Sequence, residues 1–267
     1  MDGVDFRILA ALHQDGLMSQ AALGRVVGLT APAVANRLAK MTRQGVLQGF
    51  RADIHPALFG REGTMHVFAG PHDASDVDQA LASKNVVWVA WKLDGSMTVM
   101  SYGEADLDAL GTPQASMPGD RQHPRIPSPL ARRVLAAVVR EPRAGRDILA
   151  ARTGLSPKTC AKHRDAALAQ GLAIRPILGT LSGEGVVVFH VAIFGDAARA
   201  AIGAALQQAV LVNEGPGMQY WFCMAPDYAT AIARQEAVRA LGADVQVTMN
   251  RRLLQNDARL VAWLETG

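Results

Sequence analysis

Apolar residues recur every three or four positions along most of the first 43 residues, which is the period of an amphipathic helix. Val4, Ile8 and Leu12 fall on one helical face, and the pair Asp15-Gly16 after them is typical of a helix end. Residues 46–54 then follow as a candidate strand. The opening of the chain is therefore predicted as a set of short helices that leads into one strand.

The turn before the third helix has the residues that a helix-turn-helix needs. Ser19 is a suitable N-cap for a second helix, and Gly28 ends that helix because glycine tolerates a positive φ. Thr30 caps a third helix with Pro32 in its first turn. Three helices with so tight a turn predict a helix-turn-helix whose third helix enters the major groove. The residues that this helix turns toward the core are Val34, Leu38 and Met41.

The same pattern returns, without a gap, 126 positions further on, so a duplicated helix-turn-helix unit is predicted. In the second copy Arg164 stands at the place of Leu38, and Ala167 at that of Met41, so the inner face is thinner and partly charged. This copy either binds phosphate with little base recognition or has a structural role. Identical residues in the two copies include Arg7/Arg133, Leu9/Leu135, Leu23/Leu149, Gly28/Gly154, Ala35/Ala161 and Gly45/Gly171.

Each helical unit is followed by mixed strands and helices. After the second unit the predicted order is βαββαβ, which is a ferredoxin-like unit with an antiparallel sheet. Its elements are residues 186–195, 196–208, 210–214, 218–224, 227–241 and 244–249. The first version is shorter and stops after a helix over 104–110; its other elements are residues 64–70, 75–84, 86–91 and 97–102.

The predicted fold class is α+β, with two winged helix-turn-helix units, each followed by a ferredoxin-like βαββαβ unit, the first of them truncated. The boundaries are 1–60 and 61–111 for the first pair of units, 112–128 for a Pro/Gly/Ser-rich linker, and 129–180 and 181–267 for the second pair. A bare sheet face must be covered, and the two αβ units can cover each other. The chain is therefore expected to form an internal pseudo-dimer, or a homodimer of such chains.

Positive charge belongs to the helical units. Residues 1–60 have a balance of +2 and residues 126–180 of +7, whereas residues 61–125 and 181–267 have balances of −4 and −2. This segregation is expected when one module meets a polyanion and the other does not. Double-stranded DNA is the predicted partner of the helical units.

Several other classes are disfavoured by the sequence. The N-terminus lacks the basic start and apolar block of a signal peptide, and the longest apolar stretch, residues 186–194, is too short to span a membrane. The two cysteines, Cys160 and Cys223, sit in unrelated contexts and imply neither a disulfide framework nor a zinc site. A cytoplasmic protein without membrane contact, metal or cofactor is predicted.

The exposed face of the third helix supplies the candidate DNA contacts. Asn36 can pair with adenine through two hydrogen bonds, and Arg37, Lys40 or Arg43 can reach guanine edges or phosphates. The alternative is a three-helix packing module with a solvated basic face. The predicted DNA-binding residues are Ala31, Ala33, Asn36, Arg37, Lys40 and Arg43 in the first unit and Lys158, Lys162 and His163 in the second.

These motifs closely resemble the Lrp/AsnC family of leucine-responsive, or feast/famine, transcription regulators. The match runs over residues 4–60 and, more loosely, over the αβ units, which are similar to that family's effector-binding RAM-type domain. The resemblance implies a DNA-binding regulator that senses an amino acid or related metabolite between αβ domains, with Asn36, Arg37 and Lys40 on the recognition helix. The matching segments are Asp5-Phe6-Arg7-Ile8-Leu9, Ser19 to Leu23, Val27-Gly28-Leu29-Thr30, Gly45-Val46-Leu47 and Leu58 to Gly60.

The effector site itself is unknown from the sequence. The family often has a Gly-x-x-Asp turn between its second and third strands, and both corresponding turns here, at 94–97 and 215–218, lack the acidic residue at that place.

Two further functions remain as alternatives. Sirohaem decarboxylases are similar to this family and use the same architecture, and His66 and His190 lie near matching places on the first strand of each αβ unit. However, no nucleophile–base set is visible, so no catalytic residue is predicted and the chain is expected not to be an enzyme. The other alternative is an oligomerisation partner that does not bind DNA.

Overall fold

The computed structural model describes residues 1–119, 126–179, 186–195, 198–207, 209–215 and 217–266. The predicted first helix-turn-helix is present, and its caps explain its boundaries. Ser19 accepts a hydrogen bond from the Ala22 amide, Thr30 accepts one from Ala33, and Gly28 ends the second helix with a φ of 75°. The elements are α1 (Gly3–Gln14), α2 (Gln20–Val27), α3 (Ala31–Arg43) and β1 (Leu47–Ile54).

The first αβ unit has one strand more than the sequence predicts. The helix predicted over 104–110 is wrong, since only Asp108–Leu110 forms a single 3-10 turn. A strand, Ala115–Pro118, lies instead inside the segment predicted as a linker. Its four residues end in a proline and show no recognisable alternation of apolar and polar side chains. The elements are β2 (Gly63–Phe68), α4 (Ala74–Ala82), β3 (Val86–Lys92), β4 (Met97–Tyr102) and β5 (Ala115–Pro118).

The second half repeats this plan and then extends beyond it. The second helix-turn-helix comprises α5 (Pro129–Arg140), α6 (Arg146–Thr153), α7 (Pro157–Leu168) and β6 (Leu172–Leu178). The αβ unit comprises β7 (Val187–Phe194), α8 (Arg199–Leu206), β8 (Val210–Gly215), β9 (Met218–Ala225), α9 (Tyr228–Arg239) and β10 (Asp244–Thr248). Two elements that the sequence analysis missed follow: β11 (Asn250–Gln255) and α10 (Asp257–Thr266).

The two sheets have related strand orders. The second sheet is β10-β7-β9-β8, antiparallel throughout, as expected of a ferredoxin-like unit. The first sheet is β11-β3-β4-β2-β5, so its own four strands repeat that order and β11 adds a fifth strand at the edge. The chain therefore leaves the second sheet after β10 and completes the first. Helix α10 then buries Leu260 and Leu264 in the core shared with α5.

The two sheets pack face to face, which confirms the expectation that the αβ units cover each other. The buried residues of this interface come from both sheets, and the hydroxyl of the buried Tyr220 lies 3.5 Å from Thr98 Oγ1. The shared cluster consists of Met65, Val67 and Met117 from the first sheet and Ala192, Met218 and Tyr220 from the second.

The two helix-turn-helix units are joined by an antiparallel ribbon of β1 and β6, here called the β1–β6 ribbon. Phe50 is paired with Pro176, and these two residues are also equivalent in the 126-residue repeat. The pairing therefore places an approximate twofold axis at this point, as in the interface of a symmetric dimer. Helix α1 also buries Phe6 and Ala10 against Val188 and Met224 of the second sheet.

Candidate nucleic-acid interface

Helix α3 has one buried and one solvent-facing side. Val34 and Met41 are fully buried, so they fix the rotation of the helix on its unit. Asn36, Lys40 and Arg43 are exposed on the other side, while Ala31 and Ala33 near the start are half-buried. Small residues at the start and polar residues further along make a face that can approach a duplex closely.

Arg37 differs from its neighbours because its guanidinium already has two partners. Its Nη1 atom donates to Asp2 Oδ2 at 2.8 Å and to Asp5 Oδ1 at 2.7 Å, and both acids lie at the start of α1. The bond to Asp5 is the main cause that raises the pKa of Arg37, and the bond from Arg37 lowers the pKa of Asp2 to about 2. This side chain ties α3 to α1, and its contact with DNA stays a prediction that competes with the ion pair.

Helix α7 keeps the same position in the second unit. Lys158 and Lys162 are exposed, and His163 is half-buried. Cys160, fully buried, occupies the place that Val34 has in α3. Arg164, at the place of Leu38, turns inward and donates from Nη1 to the Ala144 carbonyl at 3.3 Å. The inner face is thus charged but packed, and DNA contact by α7 also stays a prediction.

The structure does not bring His66 and His190 together. The ring nitrogens of His66 lie 3.0 Å from Ser116 Oγ and 3.3 Å from Ser101 Oγ. His190 belongs to the other sheet, where its buried ring stacks on Tyr220 with the centroids 5.3 Å apart. Burial lowers the pKa of both rings, that of His190 to about 3.

The histidine that does lie beside His190 is one that the sequence analysis missed. His13, in the last turn of α1, stacks on Phe222 with the ring centroids 4.2 Å apart. His190 packs against the same Phe222 ring in a T-shaped arrangement, with the centroids 5.3 Å apart. His13 follows Phe6 by seven residues and so shares its helix face. That spacing was the available signal.

No cluster of three His, Cys, Asp or Glu side chains that could hold a metal ion occurs within the described ranges. In the same part of the chain, every helix is too short or too polar to cross a membrane.

Comparison with known proteins finds a family match at the N-terminus. An AsnC-type helix-turn-helix domain matches residues 1–42. The leucine-responsive regulatory protein of Rhizobium meliloti is 29% identical over 100 residues, which are 36% of this chain and 64% of that protein, just under two thirds of its length. An uncharacterized HTH-type transcriptional regulator of Pyrococcus furiosus is 32% identical over 122 residues, 42% of this chain and 82% of that protein.

Among solved structures, the siroheme decarboxylase NirDL aligns with 98% of this chain and 100% of its own, at 11% identity and a TM-score of 0.47.

Proposed function

The chain belongs to the Lrp/AsnC family of DNA-binding transcription regulators, and from that premise we propose that it binds DNA sequence-specifically as one internal pseudo-dimer. The observation that carries this proposal is the β1–β6 ribbon, whose central pair, Phe50 and Pro176, relates the two helix-turn-helix units within a single chain. A palindromic operator needs two such units, and here one polypeptide supplies both.

The two units are proposed to contribute differently. Helix α3 supplies base contacts through Asn36 and, with Lys40 and Arg43, phosphate contacts. Helix α7 supplies mainly phosphate contacts from Lys158 and Lys162, because its unit is the most basic part of the chain. The operator is then expected to be read more strictly in one half-site than in the other.

The protein is also proposed to respond to a small metabolite, such as an amino acid or related compound, bound between its αβ sheets. Its sequence relatives carry the names of transcription regulators, so the proposed output of that binding is a change in DNA affinity. The protein is proposed to act in the cytoplasm, because its proposed target is chromosomal DNA.

The test is selection of genomic fragments by the purified full chain, followed by affinity measurements on the selected site across a salt series. Lys40→Ala is expected to weaken binding and to reduce the slope of log affinity against log salt by about one. Asn36→Ala is expected to cost about 1–3 kcal/mol on the selected site and little on random DNA.

Lys84→Ala is the matched control, since Lys84 is an exposed lysine in the first αβ unit, away from α3. If no sequence is enriched, or if Lys40→Ala and Lys84→Ala have the same salt slope, the proposal is wrong. Weak binding without selectivity would instead favour an oligomerisation partner that does not bind DNA.

A further inference from the structure

A cavity of about 1200 Å³ lies between the β1–β6 ribbon and the two αβ sheets. Arg51 and Arg175 line it from the ribbon, His190 and Tyr220 from the second sheet, and Trp88 from the first. Pockets for drug-sized molecules are usually about 300–1000 Å³, so this volume suits a sizeable organic molecule. No residue of the turn at 94–97, one of the two turns where the family resemblance would place an amino-acid effector, lines the cavity.

The ribbon presents two arginines directly opposite each other. Arg51 and Arg175 are cross-strand partners, so both side chains leave the same face of the ribbon. Like charges in this position destabilise a sheet. Arg51 forms an ion pair with Asp53 at 2.9 Å and donates to Gln255 Oε1 at 3.0 Å, and Arg175 donates to the backbone carbonyl of His13. The pair has a structural cost that a bound anion would relieve.

The lining of the cavity as a whole is also positively charged. Its two acidic residues within the described chain are Asp53 and Glu214. Five arginines oppose them: Arg51, Arg175, Arg199, Arg251 and Arg252. Walls of low polarity strengthen such a field, so the cavity attracts negative charge.

Buried polar atoms also point to a ligand. Both ring nitrogens of His13, Nδ1 of His190 and Oδ1 of Asn250 are buried without a hydrogen-bond partner in the described part of the chain. The three residues are 5%, 6% and 4% exposed, and all line the cavity. Burial is the main cause that lowers the pKa of each histidine to about 3. Each neutral ring therefore offers one donor and one acceptor.

The remaining walls are flat and apolar. Tyr220 and Phe222 face the cavity from β9, Trp88 from β3, and Val188 and Leu254 complete the surface. Aromatic faces stack on planar apolar molecules, whereas inorganic anions gain nothing from them.

We propose that this cavity is a second ligand site, beyond the amino-acid effector proposed above, and that it takes an organic polyanion, a molecule with a flat apolar body and at least two carboxylates placed to meet Arg51 and Arg175. Arginine binds carboxylates through two parallel hydrogen bonds, which fixes the orientation of such a ligand. The orphaned atoms of His13, His190 and Asn250 then bond to its remaining polar groups.

The site is connected to the DNA-binding face through α1. His13 forms part of the last turn of this helix, and Arg175 holds its carbonyl oxygen. Phe6 and Ala10, on the same helix, pack against Val188 and Met224 of the second sheet. A ligand that draws Arg175 into the cavity therefore acts directly on the first helix of the first DNA-binding unit. This regulatory step rests on the proposed function, whereas ligand binding itself does not.

The test uses calorimetry on the full chain with four probes that separate charge from shape. Benzene-1,3,5-tricarboxylate has both features, its neutral tricarboxamide has the flat body alone, citrate has the carboxylates alone, and inorganic phosphate is a simple anion. The tricarboxylate is expected to bind at least tenfold more tightly than the other three probes and to change the tryptophan fluorescence of the protein, because Trp88 lines the cavity. Equal binding of all four probes, or no binding of the tricarboxylate, overturns the proposal.

Two variants locate the site. Arg51→Gln and Arg175→Gln are each expected to weaken binding of the tricarboxylate at least tenfold, while Arg25→Gln, an exposed arginine on α2, leaves binding unchanged. Without ligand, Arg175→Gln is expected to keep or raise the midpoint of thermal unfolding, because it removes a like-charge pair. A lower midpoint for both cavity variants would give these arginines a structural role and contradict the assignment.

Regulation is tested separately on the selected DNA. The tricarboxylate is expected to change the DNA affinity of the wild type at least threefold, and to have no such effect on Arg175→Gln. Ligand binding with unchanged DNA affinity removes the regulatory role and leaves the ligand site. Ligand binding by a chain that selects no DNA refutes the proposed function alone.

Discussion

Replacement of Arg37 by alanine tests whether this residue holds the first helix-turn-helix together. The Asp5 carboxylate, 2% exposed, would lose the guanidinium at 2.7 Å and keep the backbone amide of Asp2 at 3.1 Å. Asp2 is 54% exposed and contributes less, since ion pairs in solvent are worth about 0–1 kcal/mol. The cost is therefore set mainly by Asp5.

The expected loss of stability is about 2 kcal/mol. A hydrogen bond to a charged group contributes about 1.5–3 kcal/mol, and removal of one partner from a fully buried pair costs about 3–5 kcal/mol. The lower range applies because the Arg37 side chain is 30% exposed, so water reaches the carboxylate after truncation. The effect should shrink as the pH falls from 3.8 toward 2, because Arg37 lowers the pKa of Asp2 to about 2 and that contribution is lost on protonation.

Hydrogen exchange of the α1 amides is the suitable assay. Tryptophan fluorescence would not report on this unit directly, since all four tryptophans lie outside the first 60 residues. A loss of 2 kcal/mol corresponds to about a thirtyfold fall in protection. Arg25→Ala, on the exposed side of α2, is the control. Protection within threefold of the wild type would refute the argument. A thirtyfold fall would mean that weaker DNA binding by Arg37→Ala says nothing about groove contact.

Three more predictions concern buried groups. Burial lowers the pKa of Lys92 to about 8, so the free energy of unfolding should rise from pH 8 to 10.5 as the folded form loses its charge. Lys92→Met should stabilise the protein by about 2 kcal/mol at pH 7. In urea unfolding across this pH range, the variant should no longer show the rise. His190 and His13, each with a pKa of about 3, should each cost about 2 kcal/mol of stability as the pH falls from 6.5 to 5, because the unfolded form takes up the proton. His190→Phe should therefore remove about half of that loss from the pH profile. Leu260→Ala should lower the free energy of unfolding by about 3 kcal/mol, whereas Leu241→Ala, on a side chain that is 48% exposed, should change it little.

Local signals predicted most of the elements. The 126-residue repeat predicts two helix-turn-helix units. Ser19 and Thr30 cap the helices that they were predicted to cap, and Gly28 ends the second helix as predicted. These features depend on contacts within a few residues, so a single sequence contains them. The βαββαβ order of the second αβ unit follows from periodicity for the same reason.

The parts that were missed depend on pairing between distant segments. Strand β11 is defined by its partner β3, about 160 residues earlier in the chain, and nothing in its own sequence indicates which sheet it joins. Arg51 and Arg175 become neighbours only through the register of the β1–β6 ribbon. His13 lies beside His190 only because α1 crosses onto the second sheet. The candidate cavity could therefore not be predicted from the sequence, because its residues are brought together only by the fold.

The passage of the chain from β10 into the first sheet has a consequence for synthesis on the ribosome. Strand β3 is an apolar segment, VVWVAWK, whose outer edge is covered by β11. Until Gln255 has emerged, that edge remains open while more than 150 later residues are translated. An open apolar edge is a template for pairing with other nascent chains. Translation speed and chaperone supply should therefore limit the yield of this protein more than its final stability does.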